Sequence, residues 1–429
     1  MAEIAIANRQ SSGAIDCQRP WLVSEILFLA HRVPWPPDRG DKIRSHHILR
    51  HLSRMAPVHL ACFADDAAEA EELHEVRGKL ASRAIVIREK PVWMAGIEAL
   101  VRGLPVSLTS FASDQIQAFV DKTVRDRNIS CIFVFSGQMA QYIPASFAGR
   151  VVMDFVDVDS AKFENYAASG SGPMKWIHHR EGRLLRKFEH DVAMDADFSL
   201  FVSDAEAELF RNRLGQKPEN IRSLGNGIDF AYYDPEAVHA VERNADTPML
   251  LFTGQMDYLP NVEAVRSFSN DAMPIIRKTH PHAEFVIVGR APTAEVMKLD
   301  GRNGTKIVGR VDDIRQWLAA ADVVVAPLRI ARGIQNKVLE AMAMNKPVVA
   351  SSAAAQGIQA SHDEHFIVAE TVQDEARAVA DLLNDSVRAD TLGGAAGKLM
   401  RTRYRWTDQL ESLEEYCGLT RITMSEAAE

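Results

Sequence analysis

Short runs of β-branched and apolar residues alternate along this chain with longer stretches in which apolar residues return every three or four positions. That alternation predicts strand following helix over most of its length. Runs at 26–30, 58–63, 84–87, 131–135, 151–155, 198–202 and 221–224 predict the strands of a first half, with helices such as 43–53 and 116–125 between them. A second set at 249–252, 285–288, 306–308, 323–326, 348–350 and 366–368 repeats the scheme. Each half therefore reads as a doubly wound parallel α/β domain. The expected layout is a disordered segment 1–20, a domain 21–233, a polar, proline-bearing linker 234–248, a domain 249–400 and a C-terminal helix 401–420. Within that last helix Trp406, Leu410, Leu413 and Tyr416 fall on one stripe, and beyond about residue 421 the tail should fray.

The stretch 322–352, D-V-V-V-A-P-L-R-I-A-R-G-I-Q-N-K-V-L-E-A-M-A-M-N-K-P-V-V-A-S-S, carries the most chemistry. It reads as strand, glycine loop, amphipathic helix, proline stop and strand. Such a loop delivers backbone N–H groups at a helix N-terminus, where anions bind. Lys337 and Glu340 lie three apart and share a face. A carboxylate accepts from sugar hydroxyls and an ammonium neutralises phosphate. The plain alternative is a solvated i,i+3 ion pair. Placement inside a parallel α/β unit, with the helix N-terminus at the ligand edge, favours the binding site.

These residues resemble the nucleotide-sugar signature of glycosyltransferase family 4, retaining enzymes of the GT-B fold, whose pattern K-x-x-E-x-M-A-x-G-K-P-V-V holds the donor. Further matching pieces follow in order: Ser203 in F-V-S-D-A-E, Asn226-Gly227-Ile228-Asp229, Phe252-Thr253-Gly254, Val288-Gly289, and Ile307-Val308-Gly309 with Val311-Asp312-Asp313. The likeness spans roughly 25–406. Within the family, the segments 34–44 (P-W-P-P-D-R-G-D-K-I-R) and 154–160 (D-F-V-D-V-D-S) look like the sugar transferases associated with PEP-CTERM/exosortase exopolysaccharide clusters. The resemblance implies two Rossmann-like domains facing each other across a cleft, the first holding the acceptor and the second the nucleotide sugar.

It also implies a donor site made of Gly40, Gly254, Gln255, Gly289, Val311, Gly333, Ile334, Gln335, Lys337 and Glu340. Lys337, with Arg332 and the loop amides, would stabilise the leaving diphosphate, and Glu340 would grip the ribose. Two departures bear on this. Arg332 stands where many members carry the first of two glutamates, and Gly254-Gln255-Met256-Asp257-Tyr258-Leu259-Pro260-Asn261 lacks the arginine and lysine that often follow the first glycine of that domain. On the acceptor side, Gly40 is the close-approach residue of a loop that also brings Asp38, Arg39, Lys42 and Arg44 to the sheet's ligand edge, against the alternative of a solvated turn.

Asp154, Asp157 and Asp159 follow a predicted strand. A metal is one reading of three carboxylates. The resemblance implies a reaction needing no metal or cofactor, and the preferred reading has Asp157 orienting an acceptor hydroxyl and Ser160 capping the next helix. The stretch 176–190 predicts a helix with Arg180, Arg183, Arg186 and Lys187 on a cationic side, read either as a solvated face or as contact with an anionic membrane or a lipid-diphosphate acceptor. Trp93, Met94, Ile97, Leu100, Val101 and Leu104 form an apolar stripe that reads first as core.

Composition narrows the classes. In 429 residues, 47% hydrophobic and 25% charged, there is material for two cores, and the balance is that of a soluble globular chain. A net charge of -9 argues against a nucleic-acid binder. Cys17, Cys62, Cys131 and Cys417 form no C-x-x-C pair, which fits a reducing compartment. The absence of a leader-like or membrane-spanning apolar run predicts a cytoplasmic protein, peripheral at the inner face of the plasma membrane if the basic helix binds lipid. Gly225-Asn226-Gly227 opens like a dinucleotide fingerprint but Phe230 replaces its third glycine, and no P-loop, H-E-x-x-H or G-x-S-x-G occurs.

The expected activity is transfer of a sugar from a nucleotide diphosphate sugar to a glycan or polyprenyl-diphosphate-linked acceptor in exopolysaccharide biosynthesis, with retention. A GT-B nucleotide-sugar epimerase and a catalytically weak scaffold of a polysaccharide assembly complex are the rivals.

Overall fold

The computed structural model describes residues 24–37, 39–71, 80–215, 218–331 and 333–419. The segment 1–20 and the tail beyond 419 lie outside these. The chain divides into two compact units, one formed by residues up to Gly225 together with the stretch from Leu410 onward, the other by Asn226–Gln409.

In the first unit, strands β1 (Glu25–Ala30), β2 (Val58–Ala64), β3 (Leu80–Ile87), β4 (Ile129–Phe135), β5 (Arg150–Val156), β6 (Phe198–Phe201) and β7 (Ile221–Ser223) form a sheet in the order β3-β2-β1-β4-β5-β6-β7. Every neighbouring pair is parallel. Helices cover a parallel sheet on both faces, which is why β1 and β2 are buried at nearly every residue instead of at alternate ones. Between the strands run α1 (Gly40–Leu52), α2 (Val92–Arg102), α3 (Gly172–Asp195) and α4 (Asp204–Leu214), the last capped by Ser203, whose hydroxyl accepts from Glu206 N.

In the second unit, β8 (Met249–Thr253), β9 (Glu284–Val288), β10 (Thr305–Gly309), β11 (Val323–Ala326), β12 (Val348–Ala350) and β13 (Ile367–Val368) take the order β10-β9-β8-β11-β12-β13, again all parallel. The helices that matter below are α5 (Leu259–Ser267), α6 (Asn336–Ala343) and α7 (Ser386–Arg403). Strand order reverses between β1 and β4 in the first sheet and between β8 and β11 in the second. Crevices at such switch points, beyond the carboxyl ends of the strands, are where open α/β sheets bind ligands.

Three expectations change. The stretch 234–248 is strapped to the second unit: Val238 and Val241 pack on its core, Val241 N donates to Gln316 O, and Arg243 pairs with Asp322 at 2.7 Å. No single helix runs through 401–417. The helix α7 ends at Arg403 because the next residues leave it to pair with an earlier segment, Ile228 N donating to Tyr404 O at 2.6 Å and Ile228 bridging Arg405. A Cβ on Gly227 would stand 2.7 Å from Trp406 N, so only glycine admits this approach. Two one-turn helices follow, and Leu413 and Tyr416 bury in the first unit, Tyr416 against Phe198, while Cys417 and Cys131, both free thiols, share a hydrogen bond.

The third concerns α2. Its buried residues are Ala95 and Ala99, whereas Trp93, Ile97 and Val101 are 67%, 55% and 82% exposed. The helix is seated by its small residues, and the large apolar ones expected in the core face outward.

Candidate functional site

The carboxyl ends of β8 and β9 approach so closely that side chains are excluded. Gly254, at φ +151°, leaves β8, and a Cβ there would lie 3.0 Å from Lys337 Nζ. A Cβ on Gly289, just past β9, would fall 1.6 Å from the Gly254 carbonyl oxygen. Both positions are therefore restricted to glycine, and Gly254 borders the cation.

Lys337 enters from the first turn of α6. Its Nζ donates to Asn261 Oδ1 at 2.8 Å and stands 4.0 Å from the centroid of the Phe252 ring. Asn261 in α5 is nearly buried and is itself fixed, its Nδ2 donating to the Gln255 carbonyl at 2.9 Å. Gln255 is held in turn by Arg290, which donates to its Oε1. Burial pushes the Lys337 ammonium down to about 7, Glu340 opposing this only in part. Glu340 is raised by burial too, against a hydrogen bond from Tyr233 and the attraction of Lys337. The solvated Lys337–Glu340 pair, the plain alternative to a binding site, is replaced by two separately held groups.

The loop ahead of α6 carries Gly333 at φ +61° and Ile334, and ends at Gln335, which makes no side-chain cap. The first amides of the helix are left facing the same end as the lysine. Asn336 accepts from Asn226 at 2.9 Å, which ties the N-G-I-D segment to this turn. Val311 follows β10 past Gly309 (φ +83°) and is partly buried. Arg332 lies outside the described residues. Where the family pattern has glycine before Lys-Pro, this chain has Asn345, at φ +56°. Asparagine tolerates that left-handed conformation, and its Oδ1 accepts from Arg401.

The first unit has its own polar cluster at the β1/β4 switch point. His31 stacks on Phe135 at 5.8 Å, its Nε2 is 3.3 Å from Asp41 Oδ2, and its Nδ1 is buried with no partner among the described residues. Burial alone would raise Asp41, but His31, Arg32 and Arg39 outweigh it and hold the carboxyl far below its usual range. Sequence reasoning passed over His31, Asp41, Tyr233 and Asn261. A histidine directly after the first strand was the legible signal for one of them.

Among the expected acceptor contacts, Asp38 lies outside the described residues and Gly40 opens α1, exposed. Arg39 pairs with Asp41 and Asp65, and the Lys42 ammonium is buried against Glu69. Arg44 requires correction. It is 1% exposed, grips Asp154 with two hydrogen bonds of 2.9 and 3.1 Å, and donates to the Leu224 carbonyl at 2.7 Å. It ties α1 to the ends of β5 and β7 and has no reach to a ligand.

Asp157 sits just past Val156, which adopts φ +69°, a strained conformation for a β-branched residue. One carboxylate oxygen of Asp157 is buried without a hydrogen-bond partner among the described residues. Burial, with Glu206 and Asp159 nearby, pushes it up to about 7. Ser160 does not cap the following helix: Glu189 from α3 accepts from both its N–H and its hydroxyl, and Glu206 accepts from Val158 N. With Asp154 locked to Arg44, the three aspartates do not converge, and no group of three metal-ligating side chains occurs among the described residues.

Two Rossmann-like parallel sheets with these connections define a GT-B protein. Solved structures agree across nearly the whole chain: HepE from Anabaena in complex with UDP and glucose has a TM-score of 0.66 at 16% identity, covering 92% of this chain and 99% of that one. Sucrose-phosphate synthase from Thermosynechococcus elongatus reaches a TM-score of 0.69 at 16% identity with the same coverage. Residues 247–385 match the family model for glycosyl transferases group 1.

The chain is 27% identical over 217 residues to a phosphatidyl-myo-inositol mannosyltransferase of Propionibacterium freudenreichii, spanning 49% of this chain and 53% of that protein. It is 30% identical over 253 residues to a GDP-mannose-dependent alpha-(1-6)-phosphatidylinositol monomannoside mannosyltransferase of Mycobacterium tuberculosis, spanning 54% and 64%. These matches cover less than two thirds of the relatives.

Proposed function

We propose that the chain is a retaining glycosyltransferase that moves a sugar from a nucleotide diphosphate sugar to a glycan or lipid-linked acceptor. The observation that carries this reading is the Lys337 ammonium, held by an amide and an aromatic face at the amino end of α6 with no carboxylate bonded to it among the described residues. A diphosphate there would supply the missing counter-charge and accept from the loop amides. As the bond from the sugar's anomeric carbon to the diphosphate breaks, the electron pair leaves with the phosphate oxygen. Lys337 and the amides of Gly333 and Ile334 stabilise that charge. The acceptor hydroxyl forms the new bond on the same face, and its proton passes to the departing diphosphate.

Glu340, set by Tyr233, is the group we assign to the ribose hydroxyls. Gly254, Gln255, Gly289 and Val311 would line the donor. Arg332 we assign to the same diphosphate, with Arg332→Glu expected to change donor choice or rate. On the first domain we keep Asp157 for the acceptor hydroxyl. Exopolysaccharide assembly is the setting suggested by the segments 34–44 and 154–160.

The activities named for the relatives point to mannose and guanine, and the ligand of a structural neighbour to UDP. Thermal-shift measurements with UDP, GDP, ADP and their sugars decide among them, since a ligand of the native state raises the unfolding midpoint by mass action. A selective rise with one base is expected, and no rise with any would overturn the reading.

A further inference from the structure

The largest concentration of exposed apolar side chains in the described chain lies on α2. Trp93, Met94, Ile97, Leu100 and Val101 are between 48% and 82% exposed and fall within one side of the helix, opposite Ala95 and Ala99, which seat it. Glu98 and Arg102 flank that side and pair with each other at 2.9 Å. A contiguous apolar surface of this kind marks a binding face.

Its neighbour is α3. Arg180 donates to the Ala99 and Leu104 carbonyls at the carboxyl end of α2, and Glu181 accepts from Val106 N and Ser107 N beyond it. These bonds set α3 beside α2. The amino end of α3 exposes Met174, Trp176 and Ile177, and further along the same helix Arg183, Arg186 and Lys187 are exposed. Trp176, His179, Arg183 and Lys187 recur at spacings of three and four and so form one stripe. Neither Arg183 nor Lys187 has a carboxylate partner among the described residues. Together with Arg186 and Arg213 they border a hollow of about 280 Å³ floored by Phe210 and Leu214, with Glu189 also in its wall. The basic residues gather here although the chain as a whole carries a net charge of -9.

From these observations we infer that the first domain docks on an anionic lipid surface, α2 inserting its apolar side among the acyl chains while the α3 stripe and its hollow take the headgroup phosphates. Charge complementarity selects this occupant: a large apolar side with exposed tryptophans on both helices, Trp93 and Trp176, and a stripe of cations on the second, unpaired among the described residues, is the pattern of an interfacial surface. No described helix is long and apolar enough to cross a membrane. This inference goes beyond the transferase reading and does not depend on it.

The test is co-sedimentation of the full chain with phosphatidylcholine vesicles containing about 30% phosphatidylglycerol, against phosphatidylcholine alone. Binding to the anionic vesicles is expected, about ten-fold weaker without the anionic lipid and weakened by salt. Ile97→Asp with Val101→Asp should abolish it, and Arg183→Glu with Lys187→Glu should reduce it about ten-fold, with unfolding midpoints unchanged because all four side chains are solvent-facing. Equal binding by these variants, or none by the native chain, overturns the inference. A concentration-dependent dimer that the Ile97→Asp, Val101→Asp pair dissolves, without vesicle binding, assigns the face to a second copy and overturns it also.

Discussion

Lys337 Nζ is bonded to Asn261 Oδ1 at 2.8 Å, a neutral amide, while the carboxylate three residues along the same helix is bonded to Tyr233. An ammonium solvated by an amide and the Phe252 ring keeps its charge available to an incoming anion. Had Glu340 paired with it, a diphosphate would have to displace that carboxylate first.

Removal of this cation should weaken nucleotide binding and leave the fold intact. Hydrogen bonds to charged groups are worth roughly 1.5–3 kcal/mol, so Lys337→Ala should raise the Kd for the nucleotide diphosphate about ten- to hundred-fold. Titration calorimetry reads this directly. An unchanged Kd in a variant with a normal unfolding transition would remove Lys337 from the phosphate site.

The same lysine makes binding depend on pH. In the free protein its ammonium titrates at about 7, below the 10.5 of an unperturbed lysine. Across that window the unfolded chain holds more protons than the folded one, so the burden this group places on stability is greatest below pH 7 and is lifted as pH rises toward 10.5. A bound diphosphate favours the protonated form. Binding should therefore take up a proton above pH 7, and affinity should fall by up to about ten-fold per pH unit there, with no contribution from Lys337 below. Calorimetry in buffers of different ionisation enthalpy measures the uptake, and Lys337→Met should abolish it.

Much of the architecture was legible because a parallel sheet writes itself as separate apolar runs. All thirteen expected strands appear, among them 323–326 and 348–350 with their bounds unchanged. Side-chain destinations were less legible. Arg44 and Lys337 are both cations just inside a helix that follows a ligand-edge loop, and local sequence gives no means to separate them. What separates them is a partner 110 residues away, Asp154, brought alongside by the sheet order. The outward face of α2 was misread for a related reason. Periodicity locates an apolar stripe, but whether that stripe or the alanines opposite it meets the core depends on tertiary packing. Tyr233 likewise reaches Glu340 from a stretch whose composition suggested only the approach to a linker.

The two donor-edge glycines make a sharper structural prediction than the lysine does. Gly289→Ala places a methyl 1.6 Å from the Gly254 carbonyl oxygen and 3.2 Å from Met256 Cε. The backbone of β8 or β9 has to move, and overpacking of this kind costs typically about 1–3 kcal/mol. The unfolding transition of the second domain should shift accordingly, and nucleotide binding should weaken with it. By contrast Gly394→Ala, inside α7 with nothing within 4 Å of its added methyl, is the control that should leave nucleotide binding unchanged and raise the unfolding midpoint slightly through helix propensity.

The Arg44–Asp154 pair tests whether a cation beside the expected acceptor loop serves structure alone. Asp154 is fully buried, and burial raises its carboxyl although Arg44 and Val156 N oppose the rise. Removing one partner strands the other in a medium that solvates it poorly. Asp154→Leu or Arg44→Met should therefore destabilise the first domain by about 3–5 kcal/mol. The double variant Arg44→Met, Asp154→Leu removes both charges and should recover most of that loss, because two matched desolvation costs disappear together. Urea denaturation of the three variants provides the cycle, read on the first-domain transition. If the single variants unfold with the native midpoint but lose acceptor binding, Arg44 acts on the acceptor after all and the structural role assigned to it is wrong.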